Sequence, residues 1–365
     1  MFTIRFSTNT PTQIIEEAKA KLAQDNLSNW ERDIWTFTEA FLNPGNQSFT
    51  VFTSGSTGKP KLIKHSRFQL EQSARATISF FNLEKAQKVL LAIPAAKIGG
   101  RMMIVRSILA QLDMSCVPLS SKPLNGVTIN NTFDFAPFTP MQFSNCLSDT
   151  ATKKKVEKIR TILLGGGEVS NVLLQQVQRL PLALFHSYGM TETASHIALR
   201  ALNGANASSC YKTLPGITVS ANEHQCLQIS APHFFKEKIT TNDVAVIHSD
   251  TSFEWIGRSD NVINSGGIKI QPEAVEKQLF SLLPYRFFIT GVSDAVLGKR
   301  VVLVIESSKC SSKEVKQLTN IFNTHLTKFE QPKSIVLVHK FRETETGKIQ
   351  RAETLLHAIQ QIDVK

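Results

Sequence analysis

Apolar runs alternate with helical periodicities along most of the chain, a pattern typical of an α/β architecture. Apolar residues recur at helical spacing at positions 11–24, 28–42, 66–80, 100–111 and 169–178. Short apolar runs that predict strands lie at 49–52, 89–93, 115–117, 161–164 and 182–186. Capping boxes pair Ser28 with Glu31 and Ser66 with Gln69, and they indicate where two of the helices begin. We therefore predict a large domain in which strands and helices alternate.

The pattern changes after residue 218. Helical spacing disappears between residues 218 and 255, where short β-like runs follow one another. Beyond residue 257 the sequence predicts helices after Pro272 and at 312–325, and strands at 286–290, 301–305 and 334–338. We place a domain boundary at 257/258, which divides the chain into residues 1–257 and 258–365. The second domain is predicted to be a small α+β unit.

Composition and charge narrow the class of protein. The 365 residues are 42% hydrophobic, enough to bury a core in each of two domains. The net charge of +11 could indicate nucleic acid, a membrane surface or an anionic small molecule as the partner. The dense basic run at 153–155 contains no aromatic residue, whereas a nucleic-acid groove interleaves stacking rings with its cations. We therefore predict no nucleic-acid partner.

Cysteine usage and hydropathy indicate the compartment. The five cysteines are widely spaced and form no Cys-x-x-Cys pair, which argues against a disulfide framework and a zinc knuckle. The N-terminus lacks the apolar segment of a signal peptide, and no run reaches the ~18 apolar residues of a spanning helix. These features predict a soluble cytoplasmic protein without a membrane span.

A loop rich in hydroxyls, glycines and lysines follows the strand predicted at 49–52. Residues 53–61 read Thr-Ser-Gly-Ser-Thr-Gly-Lys-Pro-Lys, and such a loop can turn its backbone N–H groups around a polyphosphate. It is not a Walker motif, because two residues separate Gly55 from Gly58 and Pro60 replaces the magnesium-binding hydroxyl. A flexible hairpin turn is the alternative, but it does not account for the hydroxyls and lysines.

Further motifs follow this loop in order. They are Gly-Gly-Gly-Glu at 165–168, His-Ser-Tyr-Gly-Met-Thr-Glu-Thr at 186–193, Asp243 before an apolar run, Gly-Arg-Ser-Asp-Asn at 257–261, Ser-Gly-Gly-Ile-Lys at 265–269 and Thr-Gly-Lys-Ile at 346–349. The ordered set resembles the adenylate-forming superfamily of acyl-CoA synthetases, luciferases and adenylation domains. The first 48 residues carry none of these motifs, and the N-terminal region is shorter than in most members.

The resemblance implies a fold, a reaction and its cofactors. The fold would be a large α/β N-terminal domain of stacked sheets with flanking helices, followed by a small mobile α+β domain. The reaction would join a carboxylic acid to AMP, using ATP and Mg²⁺, and then transfer the acyl group to coenzyme A. Because the first step brings an anion against an anionic phosphate, its catalysis depends on positioning and charge neutralisation.

Three residues would carry the adenylation step according to this resemblance. Lys348 would bridge the acid carboxylate and the α-phosphate, Thr191 would donate a hydrogen bond to that phosphate, and Glu192 would hold Mg²⁺. Asp260 would be the hinge about which the small domain rotates between the half-reactions. The structural alternatives are a solvated lysine for Lys348 and a helix N-terminal box for the Thr-Glu pair.

The nucleotide and coenzyme sites follow from the same resemblance. Asp243 would bind the ribose with help from Arg258, although residues 241–243 read Thr-Asn-Asp where relatives usually have Thr-Gly-Asp. Tyr188 would stack on adenine, unless it is an ordinary core tyrosine. The whole predicted set is Thr53, Ser54, Gly55, Ser56, Thr57, Gly58, Lys59, Lys61, Gly165, Gly166, Gly167, Glu168, Ser187, Tyr188, Gly189, Asp243 and Arg258 for the nucleotide, and Gly266 and Gly267 for coenzyme A.

The acid is indicated by residues close to these motifs. Residues 187–196 and 264–272 most resemble o-succinylbenzoate–CoA ligases of menaquinone biosynthesis, whose substrate carries a second carboxylate. Its pocket would contain Lys97, Arg101, Ser195 and His196. Relatives commonly have histidine where Lys97 stands, so Lys97 either tunes recognition of that carboxylate or indicates another acid.

Several readings stay open from the sequence alone. Lys97 could be an ordinary surface lysine, and His196 could be a hydrogen-bonded structural histidine. The alternative functions are another aryl- or acyl-CoA ligase, an adenylation domain that loads a carrier protein, and a non-catalytic nucleotide-binding module.

Overall fold

The computed structural model describes residues 1–52, 61–235, 237–344 and 349–362. The chain divides into two units, one of residues 1–218 with 230–238, and one of residues 219–229 with 239–365. The second unit therefore includes the β-rich stretch that precedes residue 257. The boundary of the mobile domain at 257/258 stays a prediction.

The first unit alternates strands with helices, as the sequence predicts. Its elements are β1 (Phe2–Arg5), α1 (Pro11–Leu22), α2 (Asn29–Leu42), β2 (Ser48–Phe52), β3 (Leu62–Ser66), α3 (Arg67–Phe81), β4 (Lys88–Leu91), α4 (Ile98–Leu109), β5 (Asp113–Cys116), β6 (Phe133–Phe138), α5 (Pro140–Leu147), α6 (Thr150–Val156), β7 (Ile159–Leu164), α7 (Asn171–Val177), β8 (Ala183–Gly189), β9 (His196–Ala201) and β10 (Tyr211–Thr213).

A largely parallel sheet forms the centre of this unit. Its strands lie in the order β1-β5-β4-β6-β7-β8-β9-β10, and the five from β5 to β8 run parallel. One face packs against α5, α6 and α7 through Phe143, Val156 and Leu173. Because parallel strands end at the same edge, the turns after β4, β6, β7 and β8 share the edge where open α/β sheets bind ligands.

The second unit holds the remaining elements. They are β11 (Thr218–Ala221), β12 (Cys226–Ser230), β13 (Ile239–Ser249), β14 (Ser252–Arg258), β15 (Ile263–Ser265), β16 (Ile268–Ile270), α8 (Pro272–Leu279), β17 (Phe287–Asp294), β18 (Gly298–Glu306), α9 (Ser312–His325), β19 (Ser334–Val338) and α10 (Arg351–Ile362). Strand β13 pairs antiparallel with β12 and β14.

The C-terminal elements of this unit form a sheet between helices. Its strands lie in the order β16-β15-β18-β17, and β19 pairs parallel with β18. Val275 of α8 and Phe322 of α9 pack on one face, and Ala358 of α10 packs with Phe288 and Val302 on the other. The predicted α/β class with a smaller α+β part is confirmed.

Both predicted capping boxes are present. The Ser66 hydroxyl accepts the Gln69 N–H at 3.2 Å, while the Ser66 N–H donates to the Gln69 side chain at 2.8 Å. The Ser28 N–H donates in the same way to Glu31. Among the helices that the structure describes, none combines the length and the apolar character needed to cross a bilayer.

Candidate active site

The turn between β8 and β9 carries Thr191 and Glu192. The turn is tight at its base, because a Cβ atom on Gly189 would lie 2.4 Å from the carbonyl oxygen of Ser195. Within the turn, the Thr193 hydroxyl donates a hydrogen bond to the carbonyl oxygen of Ser195 at 2.6 Å. Thr191 is half-buried and Glu192 is exposed. A hydroxyl donor and a hard carboxylate ligand thus stand side by side, which suits a phosphate with its Mg²⁺.

His65 lies next to this turn, although sequence reasoning did not select it. It is 3% exposed on β3, and its ring hydrogen-bonds the backbone of Thr191. Burial lowers the pKa of His65, while the Thr191 hydrogen bond and the Glu192 carboxylate oppose that effect. Within the described ranges its Nε2 atom has no hydrogen-bond partner. His65 therefore ties β3, which follows the predicted phosphate loop, to the Thr-Glu turn.

The glycine loop after β7 is held close to β8. Gly165 donates its N–H to Phe138 O at 3.0 Å, and a Cβ there would lie 2.7 Å from Ser187 Oγ. Gly166 has φ = +78°, a conformation that L side chains rarely adopt. The backbone conformation thus favours glycine at position 166, and a Cβ at Gly165 would displace the Ser187 hydroxyl. A Cβ on Gly166 would meet no atom of the described residues within 4 Å, so the loop is open on that side.

A histidine–tyrosine pair fixes the far end of that loop. His186 is fully buried, and desolvation, followed by the charge of Arg200, lowers its pKa to about 3. The ring is therefore neutral at pH 7. Its Nε2–H donates to Gly167 O at 2.9 Å, and its Nδ1 accepts the Tyr211 hydroxyl at 2.7 Å. Tyr188 packs edge-on against Tyr211, with the ring centroids 5.7 Å apart.

Replacing Tyr211 with phenylalanine tests the nucleotide role that the resemblance implies for the glycine loop. The KM for ATP should rise several-fold, because His186 Nδ1 loses its donor and the loop loses a support. The aromatic packing is retained, so kcat should change little. Pyrophosphate exchange at varied ATP concentration measures both constants. Tyr285→Phe is the matched control, since that hydroxyl donates to Glu314 in the second unit. An unchanged KM for ATP with a lowered Tm would contradict the positioning role.

A buried polar cluster joins α3, α4 and β9. Arg106 donates through Nη2 to Ser195 Oγ at 2.8 Å, and His196 Nε2 lies 3.1 Å from Thr77 Oγ1. Burial and the Arg106 charge lower the pKa of His196 well below its usual range, so this ring is neutral. Ser195 and His196, both predicted for the acid pocket, therefore lie together beside an arginine that the sequence analysis missed.

Arg106 is unusual for a buried cation. It is 2% exposed, and among the described residues its guanidinium forms no ion pair and its Nε has no hydrogen-bond partner. Burial lowers the pKa of Arg106 to about 9, so it stays protonated at pH 7. A small depression lined by Ser73, Thr193, His196 and Phe234 borders His196 of this cluster, and Arg106 lies behind that lining. Because an unpaired buried charge is costly, an anionic group on a ligand would stabilise it.

Lys97 and Arg101 stand at the start of α4. Lys97 is the half-buried N-cap residue. The Arg101 guanidinium donates to the carbonyl oxygens of Ala95 and Thr50 and lies over the Phe37 ring at 5.1 Å. Arg101 thus fastens α4 to its surroundings, and the substrate roles of both residues stay predictions.

In the second unit, three residues predicted for the site lie next to one another, namely Asp243, Arg258 and Asp260. The β13–β14 register sets Asp243 opposite Arg258, and Arg258 Nη1 lies 3.6 Å from the Asp243 carboxylate. Arg258 Nη2 also donates to Asp260 at 2.6 Å. The Trp255 indole donates to Asp243 at 3.1 Å and fixes that carboxylate, a contact that the sequence analysis did not anticipate. The arrangement presents a buried, oriented carboxylate suited to a pair of hydroxyl donors.

Gly266 and Gly267 form the turn between β15 and β16. Their φ angles are +60° and +83°, the left-handed pair that a two-residue hairpin turn requires. Gly266 also donates its N–H to Leu297 O at 2.8 Å. The turn alone accounts for both glycines, so their role toward coenzyme A stays a prediction.

A family model for AMP-binding enzymes matches residues 6–225, which is more than half of the chain. The chain belongs to the AMP-binding enzyme family. The predicted superfamily is confirmed.

Three relatives illustrate the similarity of this AMP-binding enzyme to known proteins. An acyl-CoA synthetase (AMP-forming)/AMP-acid ligase II-like protein from Dyadobacter fermentans is 34% identical, with TM-score 0.64, over 98% of this chain and 99% of that chain. The 2-succinylbenzoate–CoA ligase of Listeria monocytogenes is 27% identical, over 82% of this chain and 68% of the relative. O-succinylbenzoate coenzyme A synthetase (MenE) from Bacillus subtilis, in complex with ATP and magnesium ion, shares the fold at TM-score 0.68 and 20% identity, over 84% and 69%.

Part of the predicted site of this AMP-binding enzyme lies outside the described residues. That part consists of Thr53, Ser54, Gly55, Ser56, Thr57, Gly58, Lys59 and Lys348. Lys61, the first described residue after the phosphate loop, is exposed, and so is Glu168 after the glycine loop. The nucleotide and catalytic roles of all these residues stay predictions.

Proposed function

We propose that this AMP-binding enzyme is an ATP-dependent ligase that converts o-succinylbenzoate to its coenzyme A thioester. An oxygen of the acid carboxylate attacks the α-phosphorus of ATP, which forms acyl-AMP and releases pyrophosphate. The sulfur of coenzyme A then attacks the acyl carbon, the thioester forms, and AMP leaves while the thiol proton passes to solvent. Relatives that carry the name 2-succinylbenzoate–CoA ligase support this assignment.

The choice of o-succinylbenzoate as the acid rests on the buried guanidinium of Arg106. It has no ion-pair partner among the described residues, yet it remains protonated within a cluster that contains Ser195 and His196. The apolar chain of a fatty acid would leave a buried cation without a counter-charge, whereas the second carboxylate of o-succinylbenzoate would neutralise it. The neutral His196 can donate or accept a hydrogen bond beside it without adding charge.

The other residues divide the work of adenylation. Thr191 would hold the α-phosphate, and Lys348 would offset repulsion between that phosphate and the acid carboxylate. The exposed Glu192 carboxylate fits Mg²⁺, which when bound would neutralise charge on the ATP phosphates. The Gly165–Gly167 loop would receive adenine, and Asp243 would receive the ribose hydroxyls.

An acid panel tests this proposal. Purified protein is given ATP, Mg²⁺ and coenzyme A with o-succinylbenzoate, benzoate, succinate or octanoate, and AMP release is measured together with thioester formation. We expect o-succinylbenzoate to give a kcat/KM at least about 100-fold above the monocarboxylates. A preference for octanoate would overturn the choice of acid. AMP release without thioester formation from free coenzyme A would favour an adenylation domain that loads a carrier protein.

We place this reaction in the cytoplasm. All five cysteines are free thiols, and two of them, Cys116 and Cys146, are buried with pKa values that desolvation raises. Thiols in this state suit a reducing compartment, where ATP and coenzyme A are also available.

A further inference from the structure

Two donors converge on one oxygen of the Asp243 carboxylate. Asp243 lies on β13 and is 8% exposed. The Trp255 indole N–H donates to Asp243 Oδ1 at 3.1 Å, and Arg258 Nη1 lies 3.6 Å from the same oxygen. The Asp243 N–H donates in turn to the Thr241 hydroxyl at 3.0 Å. The backbone and the side chain of Asp243 are therefore both held, and the plane of its carboxylate is fixed.

A β-bulge in β14 places Trp255 where it can reach this carboxylate. Trp255 and Arg258 are three residues apart, so in a regular strand their side chains would point to opposite faces of the sheet. Asp243 pairs with Arg258, but beyond a register shift Ala245 pairs with Trp255, which leaves Ile256 as the additional residue of β14. Because residues 243 and 245 share one face of β13, the bulge brings both donors to the face of Asp243.

A carboxylate of fixed orientation can distinguish one sugar from another. Two neighbouring ribose hydroxyls can donate to a carboxylate only when its oxygens are turned toward them. If the carboxylate rotated freely, part of the binding free energy would be lost in ordering it. An indole has a single N–H donor with a fixed direction, so Trp255 removes that freedom before a nucleotide binds. A sugar without these hydroxyls gains nothing from the fixed orientation.

We propose that Trp255 is the positioning residue that makes Asp243 selective for nucleotides with ribose hydroxyls. This inference rests on the proposed function, in which Asp243 receives the ribose hydroxyls of ATP. Trp255 acts through Asp243, so its loss weakens the binding of ribonucleotides and spares nucleotides that lack both hydroxyls. A contact that only tied β13 to β14 would make no such distinction between nucleotides.

Equilibrium binding of two nucleotides to Trp255→Phe tests the inference. The probes are Mg·ATP and Mg·2′,3′-dideoxy-ATP, and calorimetry on the full chain gives both Kd values without any acid substrate. Wild type should bind dideoxy-ATP at least about 30-fold more weakly than ATP, since hydrogen bonds to a charged group are lost. Trp255→Phe keeps an aromatic ring but has no N–H, so its Kd for ATP should rise about 10-fold and its Kd for dideoxy-ATP should stay within about two-fold. An equal rise of both Kd values would overturn the inference.

Two further variants make the result interpretable. Trp30→Phe is the matched control, because Trp30 lies on α2 and its ring packs against Phe2. It should leave both Kd values unchanged. Asp243→Ala reports on the proposed function itself. If Asp243→Ala removes the preference for ATP and Trp255→Phe keeps it, the positioning role is wrong and the proposed function stands. If Asp243→Ala keeps that preference, the ribose role of Asp243 fails first, and the inference fails with it.

Tryptophan fluorescence gives a second readout, which wild type supplies even if Trp255→Phe folds poorly. Because the indole N–H donates to Asp243, hydroxyls that reach this carboxylate should change the emission of Trp255. We expect saturating ATP to shift the emission of wild type and of Trp30→Phe, and saturating dideoxy-ATP to shift it much less. Equal shifts with both nucleotides would contradict a contact between the ribose hydroxyls and the carboxylate that Trp255 holds.

Discussion

Replacing Lys348 with alanine is expected to lower the rate of acyl-AMP formation by about a thousand-fold. The acid carboxylate and the α-phosphate are both negative, and without a cation between them the attacking oxygen must approach against their mutual repulsion. Thioester formation from preformed acyl-AMP has no such repulsion, because the coenzyme A thiol attacks a neutral acyl carbon. We expect that second rate to change by less than about three-fold. Pyrophosphate exchange and single-turnover thioester formation measure the two steps separately.

The control for this variant is Lys340→Ala, an exposed lysine of the same unit that takes no part in the proposed site. It should leave both rates unchanged. An equal fall of both half-reactions in Lys348→Ala would contradict a lysine that acts in one step and is then withdrawn. Lys348→Arg should recover only part of the adenylation rate, because a planar guanidinium places its charge differently from an ammonium.

Local signals in the sequence predicted many of the elements but missed others, which are β1, β3, β6, α5, α6, β9 and β10. Capping boxes and helical spacing located α2 and α3, because those signals depend on residues within one turn of each other. Strand β6 contains Asp134 and Pro137, which argue against a central strand. In the fold the Asp134 carboxylate accepts the Lys88 N–H at 2.9 Å, and Pro137 pairs in register with Leu163. Those partners are distant in sequence, so local propensity could not reveal them.

In the candidate site, too, local motifs predicted some residues, whereas Arg106 was recognised only from the fold. The order of the motifs led to the prediction of Ser195 and His196 as acid-pocket residues. The cations predicted to bind the second carboxylate, however, were Lys97 and Arg101. Arg106 lies five residues beyond Arg101, so the two side chains point about 140° apart on the helix. The sequence signal that could have identified Arg106 is its position as the single cation in the apolar stretch 102–109 of α4. A cation within an apolar helical stretch is expected to be buried, and a buried cation needs a partner from elsewhere in the fold or from a ligand.

Replacing Arg106 with methionine is expected to raise the KM for o-succinylbenzoate about 100-fold and to leave the KM for ATP nearly unchanged. Methionine fills much of the same volume but offers no charge to the second carboxylate. The variant should be as thermally stable as the wild type or more so, since it removes a cation that is buried without an ion pair among the described residues. Acid kinetics by AMP release, together with Tm in the absence of substrate, check both expectations.

Arg101→Met provides the contrast for this experiment. Its guanidinium is engaged by the carbonyl oxygens of Ala95 and Thr50, so its loss should lower Tm and leave the preference for dicarboxylates over monocarboxylates intact. If Arg101→Met abolished that preference and Arg106→Met did not, the distal carboxylate would lie at the start of α4, beside Lys97. If both variants kept the preference, o-succinylbenzoate would have to be recognised without a buried cation. A loss of stability in Arg106→Met with unchanged acid kinetics would show that Ser195 and His196 are the partners for which the arginine is retained.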